Sequence, residues 1–450
     1  MKLRRFQSRP EDADQEPFRL SFRRPTGDTN AFSILIGSNG TRKSRTLRDI
    51  LDVSLLRSRD SGVTHEGKPG AVSFWRDATL EHGAGLSKIL AISGVATDRF
   101  PSRITGRKMR TRPLTYAYVG PRSENNLVSR TQSINQIARS LLEHPDRVKR
   151  RHKQLRHAFS LLKVSHGIMF TLDRTAPPTG SSWTVSALRK RLLTALQEEE
   201  EERLLDDTTL VKRCVELMKS AEHIEFRLDL DDVARIDATP NDLQALLLLV
   251  AAGALTVSES YVYTTDNRQL NLSEFSSGQW QILSSLLFAA VAVEDNTLIL
   301  IDEPENSLHP SWQQIYLPLL NETISSVRGV HVLVATHSPL VAASLDPQIA
   351  EVFQIRIVNG RLASRNLRTG PFGWTADQIL QEVFGLHSAR SVAFTKRMDV
   401  ALSLFAKGDR TNPELKSIVD SLEQILPSLP EDDVAREIIA TLSAVVNAGS

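Results

Sequence analysis

Two adjacent carboxylates that follow an apolar run near residue 300 could hold a cation and activate a water molecule. Leu298–Ile301 is apolar, and Asp302 and Glu303 come directly after it. A run of Leu and Ile predicts a parallel strand that is buried on both faces, and open α/β sheets bind ligands at the carboxyl ends of such strands. Because adjacent strand residues point to opposite faces, one acid could bind the cation while the other faces the water. An ordinary strand end would also fit this segment alone.

A second segment has the pattern of a phosphate-binding loop. Phe32–Ser44 reads as an apolar strand and then a loop that contains glycine, and a helix follows it. Gly37 and Gly40 would let backbone N–H groups surround an anion, and the helix start adds its positive dipole end. In such loops the lysine, here Lys43, reaches the β- and γ-phosphates, and the next hydroxyl, here Ser44, binds Mg²⁺.

One position departs from the usual phosphate loop. Arg42 precedes Lys43, where the usual loop has glycine. If this position requires a positive φ, a residue other than glycine costs about 1–2 kcal/mol there. A plain turn followed by a helix cap remains the alternative for this segment taken alone.

Two more segments end in small polar groups. Leu272–Gln281 contains two serines and a glycine at the start of an apolar helix, which could bind an anion or could simply cap the helix. Val330–Pro339 reads as another buried strand, and His337 follows its end. A lone histidine at a strand end is usually a satisfied hydrogen-bonding group.

Taken together and in this order, the four segments resemble the Walker A, signature, Walker B with D-loop, and switch-histidine motifs of ABC-type ATPases. The sequences DEPENSLHP at 302–310 and ATHSP at 335–339 resemble those of the SMC-like and OLD-like soluble ATPases of bacterial anti-phage defence operons, rather than those of transporter subunits. The resemblance touches most of the chain except residues near 130–220.

The resemblance implies an enzyme that hydrolyses ATP, with ATP and Mg²⁺ as cofactors. It implies that Ser44 and Asp302 hold the metal, that Glu303 is the general base, and that His337 contacts the γ-phosphate as a catalytic residue. The implied nucleotide-binding residues are Gly37, Asn39, Gly40, Arg42, Lys43, Ser44 and Arg45 from one subunit, and Ser277, Gly278 and Gln279 from a second subunit.

The implied fold is α/β: a P-loop NTPase of the ABC ATPase type with a mixed sheet. We expect four regions: 1–124 with Walker A, a helical insertion at 125–222, 223–360 with the signature, Walker B and switch histidine, and a helical C-terminal region at 361–450. The SMC-like relatives carry a long coiled coil at this insertion. Here heptads are not sustained, so a compact helical subdomain is expected.

Composition is that of an ordinary globular protein. The chain has 450 residues, 41% hydrophobic and 24% charged, which suits two or three structural units. A single cysteine, Cys214, excludes an internal disulfide framework and fits a reducing cytoplasm. The longest apolar run, Ala245–Leu255, is shorter than the ~20 residues of a membrane span. We therefore expect a cytoplasmic location and no membrane partner.

Local charge is uneven although the net charge is only +2. Arg99–Arg112 and Arg147–His157 are basic blocks that could contact nucleic-acid phosphates or could be solvated surface. Glu198–Arg203 is an acidic block, expected to be exposed.

Three functions follow as hypotheses. The first is an ATPase that forms a homodimer or larger homo-oligomer around ATP and controls a partner effector, a nuclease or toxin encoded nearby, in anti-phage defence or DNA processing. The second, suggested by Arg42, is a nucleotide-bound scaffold that hydrolyses ATP slowly or not at all. The third is a DNA-repair or chromosome-associated ATPase that acts directly on DNA through its basic blocks.

Overall fold

The structure is a computed structural model that describes residues 2–8, 17–23, 30–57, 71–75, 86–95, 97–101, 115–121, 130–176, 184–195, 208–220, 223–231, 235–236, 239–367, 370–386, 388, 390–408, 410 and 412–448. The acidic block at 198–203 and most of the basic block at 99–112 lie outside the described residues.

The described strands, in chain order, are β1 (Lys2–Gln7), β2 (Arg19–Ser21), β3 (Ala31–Ile36), β4 (Ala71–Trp75), β5 (Lys88–Ser93), β6 (Thr115–Val119), β7 (Gly167–Arg174), β8 (His223–Asp229), β9 (Arg235–Ile236), β10 (Leu255–Tyr263), β11 (Gln269–Asn271), β12 (Thr297–Asp302), β13 (His331–Thr336), β14 (Ala350–Val358) and β15 (Arg361–Leu367).

The described helices are α1 (Lys43–Arg57), α2 (Arg130–Glu143), α3 (Pro145–Arg150), α4 (His152–Leu161), α5 (Val185–Ala195), α6 (Thr208–Ser220), α7 (Pro240–Ala251), α8 (Ser277–Ala292), α9 (Pro310–Thr323), α10 (Pro339–Ala342), α11 (Ala376–Phe384), α12 (Val392–Ala406), α13 (Pro413–Glu423) and α14 (Val434–Ala448). Among the described residues, no helix combines the length and the apolar character that crossing a bilayer requires.

A seven-stranded mixed sheet forms the centre of the first unit, in the order β15-β14-β3-β13-β12-β5-β6. Its pairs are parallel except for β14 and β15, which are antiparallel. Every residue of β12 and of β13 is buried, as their Leu, Ile and Val content predicts. The expected α/β class with a mixed sheet is confirmed.

The strand register determines where the functional segments meet. Asp302 on β12 pairs with Ala335 on β13, and Thr336 pairs with Ile36 on β3. Since all three strands run in the same direction, the segments that follow them emerge at one edge of the sheet. The phosphate loop, the carboxylate pair and the residue after β13 are therefore neighbours in space.

Helix α1 is anchored beneath this edge. Leu47, Ile50 and Leu51 are fully buried and share a hydrophobic cluster with Leu300 of β12 and Leu333 of β13. Burial of each such side chain contributes about 1.5–3 kcal/mol. This packing fixes the start of α1, and with it the two residues expected to bind phosphate and metal.

The described part of 125–222 contains helices α2 to α6 and one strand, β7. β7 joins an antiparallel sheet of five strands, in the order β11-β10-β7-β8-β9. Its alternating residues Ile168, Phe170 and Leu172 are fully buried. This alternation is a period-2 signal, and the sequence interpretation missed it by treating the region as helical.

The chain divides into two compact units, 1–374 and 375–450. The second unit contains α11 to α14. Its core includes Met398, Ala401, Leu415, Val419, Leu422, Ile439, Leu442 and Val446. The residues described after Leu362 are mainly helical, as expected, and β15 ends before the helices begin.

Candidate functional site

The loop between β3 and α1 wraps around the ammonium group of Lys43. Its Nζ donates hydrogen bonds to the carbonyl oxygens of Gly37 at 2.8 Å and Ser38 at 3.1 Å, and lies 3.4 Å from Thr41 Oγ1. A Cβ on Gly37 would lie 2.2 Å from the carbonyl oxygen of Ile355 on β14, so only glycine fits. The loop is thus pressed against the sheet edge while its tip faces solvent.

The loop tip carries the other expected nucleotide ligands. Asn39, Gly40 and Arg42 are exposed there, and Arg45 is exposed in the first turn of α1. Arg42 has a φ of +62° and Gly40 has a φ of +81°. The residue before Lys43 therefore has a left-handed backbone, in which arginine costs about 1–2 kcal/mol relative to glycine.

Ser44 and Asp302 meet directly. The Ser44 hydroxyl donates a hydrogen bond of 2.8 Å to Asp302 Oδ1. Asp302 is only 1% exposed, and burial raises the pKa of its carboxyl to about 7; the Ser44 hydrogen bond opposes this rise, and the charges of Glu303 and Asp98 add to it. A buried carboxylate next to other acids favours a cation. Hard oxygen donors of this type, together with substrate phosphates and water, fit Mg²⁺.

Glu303, His337 and Lys43 form a chain of polar contacts. His337 Nδ1 lies 3.2 Å from Lys43 Nζ, and His337 Nε2 lies 3.2 Å from Glu303 Oε1. Because an ammonium group can only donate, Nδ1 accepts, and Nε2 carries the hydrogen that faces the carboxylate. The hydrogen bond from His337 lowers the pKa of Glu303, so this carboxylate is ionised at neutral pH. Burial lowers the pKa of Lys43 to about 8, partly offset by the nearby acids.

The backbone of Glu303 is unusual and closely supported. Its φ is +47°, and its N–H donates to the carbonyl of Ala335 at 2.8 Å. A Cβ on Gly94 would lie 2.2 Å from the Glu303 carbonyl oxygen, and Asn306 Nδ2 donates to the Gly94 carbonyl at 3.0 Å. Gly94, which directly follows β5, therefore supports the backbone of Glu303.

The residues expected to serve a second subunit lie at the start of α8. Ser276 caps the helix: its Oγ accepts from the Gln279 N–H at 3.2 Å, and its own N–H donates to Gln279 Oε1 at 2.9 Å. Ser277 is exposed, and a Cβ on Gly278 would lie 2.5 Å from the Ser307 carbonyl oxygen. Both of these hydrogen bonds join Gln279 to Ser276, so they lie within the first turn of α8. Gly278 thus borders the segment after Glu303, and the contacts given for Gln279 are with Ser276 rather than with the Lys43 cluster.

Two arginines of the basic block at 147–157 hold the other end of α8. Arg151, 3% exposed, donates to the carbonyls of Ala289 at 3.0 Å and Val293 at 2.8 Å, and also to Ala290. Arg147 donates to the carbonyl of Val291 at 2.9 Å. Cations suit a helix C-terminus because unpaired carbonyls collect there. These two guanidinium groups are therefore bound within the protein rather than presented to nucleic acid.

Comparison with known proteins adds a family and several relatives. The profile of a family described as "AAA domain, putative AbiEii toxin, Type IV TA system" matches residues 32–343. The chain is 30% identical over 128 residues to Protein ea59 of Escherichia phage lambda, covering 28% of this chain and 23% of that protein. It is 30% identical over 128 residues to Septu protein PtuA of Bacillus thuringiensis, covering 26% and 28%. It is 32% identical over 129 residues to the "Retron Ec83 probable ATPase" of Escherichia coli, covering 26% and 22%.

The match thus spans less than a third of the length of each of these relatives. Among solved structures, an SmcHead bound to the C-winged helix domain of ScpA aligns with a TM-score of 0.34 and 11% identity, covering 82% of this chain and 98% of that one. A superposition of this quality carries no comparison of function.

Proposed function

The chain belongs to this family of AAA-domain proteins, and from that membership we propose that it binds ATP with Mg²⁺, dimerises around the nucleotide and hydrolyses it to control a partner protein. The observation that carries the proposal is the convergence of Lys43, Ser44, Asp302, Glu303 and His337 at one sheet edge. Phosphoryl transfer depends mainly on positioning and on charge stabilisation, and this cluster offers both.

Each residue has a role that its contacts support. Lys43 and the loop N–H groups bind the β- and γ-phosphates. Ser44 and Asp302 hold Mg²⁺, which when bound neutralises charge on the phosphates. Glu303 is ionised and takes the proton of the attacking water as general base. His337 contacts the γ-phosphate from between Lys43 and Glu303.

A second subunit completes the site in this proposal. Ser277 is exposed at the N-terminus of α8, where the helix dipole attracts an anion. Gly278 lies against Ser307 of the segment that follows the carboxylate pair. The closed dimer would place the α8 start of one copy over the phosphates of the other, so hydrolysis depends on assembly.

The setting we propose is anti-phage defence, which relatives named for Septu and retron systems support. A nuclease or toxin as the controlled partner is part of this proposal and rests on the motif resemblance alone. DNA processing is the alternative setting. The test is co-purification with proteins encoded next to it, with ATP and without.

ATP turnover tests the catalytic roles. Glu303→Gln should reduce kcat by about 10²–10⁴-fold, the usual contribution of a general base, while ATP still binds. Equal turnover of both proteins would favour the alternative, a nucleotide-bound scaffold for which Arg42 is the motivation.

Mass measurement tests the dimer. Glu303→Gln with ATP and Mg²⁺ should double in mass, because the closed state accumulates when hydrolysis is blocked. Adding Ser277→Arg should prevent the doubling and leave ATP binding to each subunit intact. If Glu303→Gln remains a monomer with ATP and Mg²⁺, the shared site is refuted.

Direct nucleic-acid binding is a second candidate function, favoured by the β14–β15 hairpin. Arg356, Arg361 and Arg365 are exposed, and the strand register places all three on one face. Charged residues also protect an edge strand from unwanted pairing, so binding must be measured. Replacing all three by Gln should weaken DNA binding and reduce its salt dependence. Unchanged binding would exclude this face.

A further inference from the structure

We infer that Glu305 is a positioning residue, which holds the backbone of His337 so that its ring stays between Lys43 and Glu303. The inference rests on the proposed ATPase function and assigns a task to the second glutamate of the segment after β12. Glu305 does not act on the nucleotide itself in this account; it acts through the histidine.

The side chain of Glu305 is directed at the backbone after β13. Its Oε1 accepts hydrogen bonds from the N–H of His337 at 2.5 Å and from the N–H of Ser338 at 3.1 Å. A carboxyl oxygen has two lone pairs, so one oxygen can accept both hydrogen bonds. Two consecutive N–H groups that share one oxygen fix both the place and the direction of the peptide plane that carries His337.

A second contact holds the same segment from α9. The Ser338 hydroxyl donates to Gln313 Oε1 at 2.6 Å, and Gln313 Nε2 donates to the Leu308 carbonyl at 3.0 Å. The segment at 337–338 is therefore hydrogen-bonded to both Glu305 and Gln313. Glu305 and Leu308, which binds Gln313, both follow Glu303 in the chain, so the same segment supports the histidine and the general base.

A cap for helix α10 does not account for Glu305. Ser338 already caps this helix, since its Oγ accepts from the N–H groups of Leu340 at 3.1 Å and Val341 at 3.2 Å. The N–H groups that Glu305 binds belong to His337 and Ser338 themselves. What the carboxylate adds is the orientation of the histidine.

This arrangement costs stability. Glu305 Oε2 is buried and has no hydrogen-bond partner among the described residues, and burial raises the pKa of the carboxyl. Buried unsatisfied polar atoms are rare because each loses its hydration. Such costs are typical of residues that serve an active site.

Kinetics of two variants test the inference. Glu305→Ala removes the acceptor and should reduce kcat by about 10²-fold, the cost of displacing a catalytic group by about 1 Å. KM and ATP affinity should change by less than about threefold, because the phosphate loop is untouched. Glu305→Gln keeps an acceptor oxygen and should retain kcat within about tenfold of wild type, because the amide oxygen can accept the same two hydrogen bonds. Glu322→Ala, an exposed glutamate on α9, is the matched control.

Two kinetic outcomes would overturn the inference. If Glu305→Gln is as slow as Glu305→Ala, the charge matters and not the hydrogen bonds. If ATP affinity falls by the same factor as kcat, Glu305 supports the whole pocket and does not position His337.

Hydrogen exchange provides a readout that does not depend on turnover. In Glu305→Ala the amide of His337 should exchange at least about tenfold faster than in wild type, and in Glu305→Gln it should stay protected. The amide of Ser338 also donates to Thr336 Oγ1 at 2.9 Å, so its exchange should change less. Unchanged exchange in Glu305→Ala would refute the inference even if the ATPase proposal stands. Wild-type turnover no higher than that of Lys43→Ala would refute the ATPase proposal, and the exchange result would still decide whether Glu305 holds this backbone.

Discussion

Replacing Asp302 by Asn should stabilise the nucleotide-free protein while it removes a metal ligand. Asp302 is 1% exposed, and burial raises the pKa of its carboxyl from 3.8 to about 7. Its charge is therefore unfavourable until a cation arrives. Asn has nearly the same shape and can still accept the Ser44 hydroxyl, so the substitution isolates the charge.

The pKa difference sets the magnitude. The unfolded carboxyl releases its proton near pH 3.8 and the folded one near pH 7, so the folded state binds more protons between these values. Stability therefore falls as pH rises from about 4 to about 7, by at most about 4 kcal/mol. Asn avoids this loss. Its buried amide needs a new acceptor, which costs about 1–3 kcal/mol, and a net gain of about 1–3 kcal/mol remains at pH 8.

The assay is denaturant unfolding of wild type and Asp302→Asn with chelator and without nucleotide, from pH 5 to pH 8. Other titrating groups are common to both proteins, so the difference in unfolding free energy reports on residue 302. This difference should grow in favour of Asn as pH rises. A difference that is constant with pH would refute the buried, unfavourable charge.

Two other substitutions test the supports of the site. Gly94→Ala should reduce ATP turnover by more than about tenfold, because the added methyl group would lie 2.2 Å from the Glu303 carbonyl oxygen. Val95→Ala is the control. If the two substitutions reduce turnover equally, this contact is not the cause. Arg151→Met should lower the free energy of unfolding by about 1–3 kcal/mol, because the carbonyls at the end of α8 lose their donor. Replacing its exposed neighbour, Arg150→Met, should change the free energy of unfolding by less than about 0.5 kcal/mol. A loss as large as that of Arg151→Met would argue against the stabilising role of the Arg151 hydrogen bonds.

Much of the fold was predictable because local pattern and strand order determine it. The apolar runs before Gly37, Asp302 and His337 predicted strands, the one before Asp302 a parallel strand, and the carboxyl ends of all three meet at one edge of the sheet. The resemblance to ATPases led to the family that the comparison shows, the one described as an AAA domain, putative AbiEii toxin, Type IV TA system. The replacement of glycine by Arg42 raised the question of a positive φ, and the folded loop has one there.

Other features depend on contacts between distant parts of the chain, which no local pattern reveals. Arg151 looked like surface charge because its acceptors lie 138 to 142 residues away along the chain. Glu305 looked like one more acid in a polar turn, and only the folded backbone at 337–338 identifies its partners. β7 is a different case, because its alternation was visible and the helical signals around it obscured it.

The most direct test of the central claim is calorimetric titration of ATP with Mg²⁺ into the wild-type protein and into Lys43→Ala. Saturable binding by wild type that is lost when Lys43 is replaced is the predicted result. No uptake by wild type, or equal affinity in both proteins, would contradict the assignment of the β3–α1 loop as the triphosphate site.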